Sequence, residues 1–141
     1  MDKNIKQVII IRKDLNMRKG KMIASGSHAS MAVIFNYMTP NYHNPATNSK
    51  NNFIIQLPEN EIGDDIKEWM LGMFKKIVVG AETLIQMIDA YQKAKEAGLP
   101  CSIIEDKGLT EFGGEITITA VAIGPAAAEK IDKITGNFSL L

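Results

Sequence analysis

The sequence predicts an α/β fold, and three observations carry that expectation. β-Branched apolar runs recur at residues 7–11, 75–79 and 101–104, segments of helical period fall between them at 21–38, 61–74 and 82–97, and glycine or proline stands at most junctions. Strands separated by helices pair in parallel through right-handed crossovers. The short connection 107–115 before a fourth strand at 116–123 instead predicts a closing antiparallel pair, and a last helix over 126–134 gives the order β, α, α, β, α, β, β, α.

The run 7–11 is continuously apolar after Gln7, the pattern of a central strand covered on both faces. Asp14-Leu15-Asn16 breaks it, and Asn16 or Gly20 can open a helix whose first turn holds Lys19 and Lys21 beside free backbone N–H groups. Met22, Ile23, Ala29, Ala32, Val33 and Phe35 fit helical spacing. Ala24, Gly26, Ser27, Ala29 and Ser30 are small enough for close approach to a sheet, which offsets the cost of about 1 kcal/mol for a mid-helix glycine. Residues 39–60, rich in asparagine and punctuated by Pro40, Pro45 and Pro58, read as a surface excursion with an edge strand near 53–57.

A helix containing Trp69 precedes the second strand, which Gly80 ends. The helix at 82–97 has the clearest period, through Leu84, Ile85, Ile88 and Ala94, with Glu82 at its start and Gly98 as its stop. Pro100 introduces the third strand, which ends at Glu105-Asp106. Gly124-Pro125 opens the last helix, and Gly136 closes it.

At 141 residues the chain is expected to be one domain, residues 1–141, with 39–60 as an appendage. Its formal charge is zero and its pI near 6.7, a poor general match to nucleic acid. Yet Arg12, Lys13, Arg18, Lys19 and Lys21 face only Asp14 within residues 12–21, so five cations less one acid leave that segment at +4 and the remainder at −4. The charge is focused. The lone cysteine, Cys101, cannot form an internal disulfide, which fits a reducing compartment and a cytoplasmic location. Apolar runs such as 8–11 are far shorter than the roughly 20 residues of a membrane helix, and the N-terminus lacks a long apolar stretch, so neither a membrane span nor a targeting segment is expected.

Open α/β sheets bind ligands beyond the carboxyl ends of their parallel strands. The first strand delivers Arg12, Lys13 and the 18–21 turn to such an end, and the third delivers Glu105, Asp106 and a Gly/Thr loop. Lysines and helix N-terminal amides hold phosphate or a developing oxyanion, a carboxylate orients water as a base, and Thr110, Thr117 and Thr119 offer hydroxyls. This chemistry is hydrolysis, or simple binding, of a phosphate-rich ligand. Duller readings exist for each part: a solvated basic loop, an acid that only ends a strand, threonines serving β-propensity, His28 as a hydrogen-bonded packing residue, and Cys101 as inert filler. His28 and His43 lack the companions of a zinc site.

The ordered motifs are Val8-Ile9-Ile10-Ile11-Arg12-Lys13-Asp14-Leu15, Met17-Arg18-Lys19-Gly20-Lys21 and Ser27-His28-Ala29, followed by Ala94-Lys95-Glu96-Ala97-Gly98-Leu99-Pro100, Asp106-Lys107-Gly108-Leu109-Thr110, Ala122-Ile123-Gly124-Pro125 and Ile131-Asp132-Lys133-Ile134-Thr135-Gly136. Through them most of the chain resembles the type II, archaeal and eukaryotic-type, peptidyl-tRNA hydrolases. The resemblance implies a three-layer α/β/α sandwich with a four-stranded mixed sheet whose last strand is antiparallel. It implies hydrolysis of the ester between peptide and tRNA, with no cofactor or metal, and peptidyl-tRNA as the partner; members are often homodimers. Carried over by position, Lys19 falls on the catalytic lysine, Asp106 on the acid, Thr110 on the first site threonine and Thr119 on the second, with Thr117 as its rival because the preceding loop is one residue longer. Arg12, Lys13, Arg18, Gly20, Lys21 and His28 fall to the tRNA. Two departures stand out: Ser25 replaces a glutamine common in the family, and the 39–60 excursion is long. The competing readings are a non-catalytic RNA-binding or protein-interaction module on the same fold, and a hydrolase of another charged tRNA or phosphate-bearing ester.

Overall fold

A computed structural model describes residues 3–44, 46, 49–108 and 112–141, without the side chains of 39–44 and 49–52. The elements run β1 (Ile5–Arg12), α1 (Lys19–Phe35), β2 (Met38–Asn44), β3 (Ser49–Ile55), α2 (Glu61–Leu71), β4 (Lys76–Ala81), α3 (Leu84–Glu96), β5 (Cys101–Asp106), β6 (Thr117–Ala127), α4 (Ala128–Thr135) and β7 (Ser139–Leu140). Five strands form one sheet in the order β5-β6-β1-β4-β7, and β2 and β3 pair separately as an antiparallel hairpin. β1 and β4 are parallel, whereas β6 runs antiparallel to both β1 and β5. The α/β expectation and the antiparallel fourth strand therefore hold, but the sheet has five strands, not four. The extra one, β7, is two residues long and held to β4 beside Val79 and Gly80, too short to leave a period in the sequence.

The chain buries both faces of β1. Val8 and Ile10 join a cluster with Met87, Ala90 and Ala94 of α3 and Ile131 of α4, while Ile9 and Ile11 join Ala29 and Val33 of α1 with Ala120 and Ala122 of β6. Period-2 alternation sends successive side chains to opposite faces, so an unbroken apolar strand feeds two cores.

α1 is held against the sheet by buried polar contacts as well as apolar ones. The Ser30 hydroxyl donates to Gln7 Oε1 at 2.5 Å, and Gln7 Nε2 donates to the Gly124 carbonyl at 3.2 Å. On the β5 side, Ser102 Oγ donates to the Ala29 carbonyl at 2.6 Å and Asn36 Nδ2 to the Cys101 carbonyl at 3.4 Å. The order of these contacts sets α1 and β5 side by side with opposite directions, which brings the end of β5 to the start of α1.

Several boundaries differ from expectation for local reasons. Gly124 and Pro125 do not open the last helix but lie inside β6, where the register against β1 slips between Lys6 and Val8. A bulge there accommodates a proline, which has no N–H for the ladder. Gly124 has φ +99°, and a Cβ on it would sit 2.5 Å from the Lys6 carbonyl oxygen, so glycine is required. α1 starts at Lys19 with Arg18 as N-cap, not at Asn16 or Gly20; Asn16 instead takes φ +51° in the preceding turn. The 39–60 excursion contains the β2–β3 hairpin and leads into α2, whose N-cap Asn60 accepts from the Gly63 N–H at 3.2 Å.

Candidate active site

The end of β5 and the first turn of α1 meet through one ion pair: Lys21 Nζ donates to Asp106 Oδ2 in a short contact, and each side chain keeps 17% exposure. The other carboxylate oxygen, Oδ1, accepts from the Gly108 N–H at 2.7 Å. Lys21 and then Gly108 hold the Asp106 carboxyl below its usual range, with a smaller electrostatic contribution from His28. Asp106 is therefore a fixed anion at neutral pH. The centroid of the Phe112 ring lies 5.9 Å from the Lys21 ammonium, within cation–π range.

α1 begins without a side-chain cap and with no acidic residue in its first turn. Its leading N–H groups and the positive end of its dipole thus face the site unneutralised by a capping carboxylate. Lys21, Ser25 and His28 recur at i, i+4 and i+7 and share one side of the helix. The Ser25 departure consequently lies in the wall beside the ion pair, where Ser25 is buried and His28 exposed.

Lys19, the residue expected to be catalytic, is not the lysine that meets Asp106. Residues two positions apart on a helix differ by about 200° around the axis. Lys21 turns toward β5, whereas Lys19 lines an apolar groove on the β1/β4 side of α1. The contact with the acid belongs instead to Lys21, a residue that sequence reasoning assigned to tRNA.

Of the two candidate threonines in β6, Thr119 is fully buried and its hydroxyl has no hydrogen-bond partner among the described residues. It occupies a bulge: Ile104 pairs with Ala120 and Glu105 with Ile118, so Thr119 is skipped in the ladder. Thr117 pairs opposite Asp106 but spends its hydroxyl on the Glu115 carbonyl at 3.2 Å. A buried orphan hydroxyl is expensive in a folded core and calls for a reason, a role in catalysis being one. Thr110 lies outside the described residues.

The basic segment is less open than its charge count implies. Arg12 grips Asp14 with two hydrogen bonds, 3.1 and 2.6 Å, donates to the Ile118 carbonyl at 3.2 Å, and keeps 12% side-chain exposure. It fastens β1 to the strand carrying Thr119 rather than standing in solvent. Lys13 pairs with Glu82 at 3.0 Å on the surface. Arg18, Lys19 and Gly20 are exposed. The Cys101 thiol is half-buried and pushed up by that burial, in keeping with an inert packing role. No helix of the described residues is long and apolar enough to cross a membrane, and no group of three or more metal-ligating side chains comes together among them.

Sequence reasoning missed the buried Gln7 network, the Phe112 ring beside Lys21 and the groove at Lys19. Only Gln7 left a signal: it is a polar residue heading an otherwise apolar central strand.

A family model for peptidyl-tRNA hydrolase PTH2 matches residues 5–141. A peptidyl-tRNA hydrolase of Methanocaldococcus jannaschii is 42% identical over 137 residues, spanning 97% of this chain and all of that protein. Those of Methanothermobacter thermautotrophicus and Sulfurisphaera tokodaii are 35% and 36% identical over 97% and 96% of the chain, and 100% and 98% of their own lengths. A solved structure of an Agrobacterium tumefaciens protein of unknown function superposes with a TM-score of 0.55 over 98% of both chains at 12% identity, a likeness of fold alone. With near-complete coverage in both directions and the ordered motifs in place, the chain belongs to the peptidyl-tRNA hydrolase PTH2 family.

Proposed function

We propose that this protein hydrolyses the ester joining a peptide to the 3′-terminal ribose of tRNA, releasing the peptide acid and free tRNA. Family membership supplies the reaction. The observation that carries the residue assignment is the Lys21–Asp106 contact at the uncapped start of α1.

In this reading the ester carbonyl lies over the first turn of α1. Water held by Asp106 attacks the carbonyl carbon and passes a proton to the carboxylate. Lys21 and the leading N–H groups take the charge that develops on the carbonyl oxygen. Lys21 cannot serve the oxyanion and fully neutralise Asp106 at once. As it turns to the oxyanion, Asp106 loses its main counter-charge and becomes a better base when one is needed. The C–O bond then breaks, and the ribose oxygen leaves with the proton from Asp106. The buried Thr119 hydroxyl, with Thr110, supplies hydrogen bonds to the water or the carboxylate. Lys19 flanks the ester on the opposite side of the turn.

Arg18, Gly20, Lys13 and His28 contact the tRNA, mainly its phosphates, since an enzyme for many tRNAs gains little from reading bases. Arg12 contributes charge through the loop it braces. We take the chain as one three-layer α/β/α domain, acting in the cytoplasm where translation generates the substrate, and as a homodimer whose mass sedimentation checks.

The test is release of free tRNA from N-acetyl-aminoacyl-tRNA. The parent protein turns it over, while Asp106→Asn and Lys21→Met each lose at least 100-fold in kcat with tRNA affinity within threefold of the parent, about one oxyanion donor's worth. Retained tRNA binding without parental turnover would instead make the chain a binding module, and turnover surviving Asp106→Asn would remove the base from Asp106.

A further inference from the structure

The first turn of α1 has a second side. From Lys19 a groove of about 630 Å³ runs along the helix to Met31, floored by Ile9 and Ile11 of β1 and Val78 of β4 and closed at its far wall by Phe74 and Leu141. Its volume is that of a ligand site. Ile23, Met31, Phe74, Val78 and Leu141 all remain exposed there. α1 covers the β5-β6-β1 part of the sheet and leaves the β4-β7 part of the same face open.

We infer that this groove is the subsite for the peptide half of the substrate, taking the acyl chain as it leaves the ester; the inference rests on the hydrolase reading. Continuity is the first argument. Lys19 stands at the groove's mouth while Lys21, two residues on, holds Asp106, so about half a helical turn separates groove from candidate chemistry. An ester placed over that turn has its tRNA half among the exposed cations of residues 13–20 and its acyl half at the groove. Length is the second. From Lys19 to Met31 the helix advances about 18 Å, the span of roughly five extended residues at ~3.3 Å each.

Charge is the third argument, and it favours a peptide over a second copy. Lys19 and Lys76 are the charged side chains lining the groove, with no acidic side chain among them. The Lys76 ammonium lies 3.2 Å from the Phe74 ring centroid and 4.9 Å from that of Trp69, and burial pushes its pKa down. A second copy docked here about a two-fold axis would bring two more lysines to the groove with no acidic side chain of the lining to pair with them. A peptide brings carbonyl oxygens to those ammoniums and side chains to the apolar floor. The floor offers no fixed polar pattern to read, so it accepts apolar residues without selecting a sequence.

The test uses acetyl-glycyl-tRNA, an acetyl-leucyl dipeptidyl-tRNA and an acetyl-pentapeptidyl-tRNA with alternate leucines, against the parent, Ile23→Asp and Met31→Asp. Ile23 lies one turn from Lys19 and Met31 about three turns. Both are exposed, so neither change threatens the core. The parent favours the pentapeptidyl over the acetyl-glycyl substrate by about tenfold in kcat/KM, in the range that apolar pocket contacts provide. Ile23→Asp lowers kcat/KM about tenfold for the dipeptidyl and pentapeptidyl substrates. Met31→Asp does so for the pentapeptidyl one alone, and acetyl-glycyl-tRNA is unaffected by either. Variants that leave all three ratios at parental values overturn the subsite while leaving the hydrolase reading intact. So does an equal loss on all three substrates, or a change in sedimenting mass, which would make the groove an interface between copies. A parent that releases tRNA from none of them overturns the hydrolase reading and this one with it.

Discussion

Replacing Thr119 by valine exchanges a hydroxyl for a methyl of nearly the same shape, at a fully buried position where the hydroxyl has no partner among the described residues. A buried polar group left unsatisfied costs about 1–3 kcal/mol, so Thr119→Val is expected to stabilise the fold by ~1 kcal/mol or more. For 141 residues, an unfolding entropy of about 2.1 cal/mol/K per residue gives ~0.3 kcal/mol/K, hence a rise in Tm of roughly 3 °C per kcal/mol. Turnover moves the other way. A hydrogen bond to a charged or developing-charge partner is worth about 1.5–3 kcal/mol, so kcat should fall by about 10- to 150-fold. Calorimetry and the tRNA-release assay are run on the same preparations, with Thr117→Val beside them. The Thr117 hydroxyl already has the Glu115 carbonyl, and its removal should move Tm and kcat little. A lower Tm in Thr119→Val would mean that the hydroxyl is satisfied in the folded protein. Unchanged turnover would remove Thr119 from the chemistry, and a loss confined to Thr117→Val would hand its role to that residue.

Other consequences follow from the same geometry. The Asp106 carboxyl, held low by Lys21 and Gly108, contributes stability above its unfolded-state pKa and loses it as pH falls through the lower folded-state value. In Lys21→Met its NMR titration midpoint should move up toward the ordinary range, and the acid limb of stability should shallow; an unmoved midpoint would refute the attribution to Lys21. Gly124→Ala, at φ +99° with a Cβ 2.5 Å from the Lys6 carbonyl oxygen, should cost at least ~2 kcal/mol, read as a fall in Tm of several degrees. Lys13→Ala should weaken tRNA binding and lower the magnitude of its salt slope by about one while leaving kcat within twofold; an undiminished slope would place Lys13 away from the phosphates.

The candidate site was legible in the sequence as a set of parts but not as a set of contacts. Asp106 at a strand end, the 18–21 cationic turn and two rival threonines were all readable, because strand and helix termini leave local signals. Choosing between Lys19 and Lys21 was not. The choice depends on which side of α1 faces β5, and that is fixed by Ser102 and Asn36 bonding across from residues dozens of positions away. Arg12 shows the same limit from another direction, since nothing in the 12–21 segment reveals that its guanidinium is committed to Asp14 and the Ile118 carbonyl.

What the sequence determined by itself is the alternation of strand and helix, the apolar centre at β1, the antiparallel partner β6 and, through its ordered motifs, the family. These rest on period, on turn residues and on short-range sterics, which are properties of neighbours along the chain. The tertiary structure decided the fifth strand, the bulge that isolates Thr119, the lysine that meets Asp106 and the open groove beyond Lys19. Each of these arises where segments distant in sequence come within a few ångströms, and register, rotation and the burial of a single hydroxyl are set there by packing that no local pattern encodes.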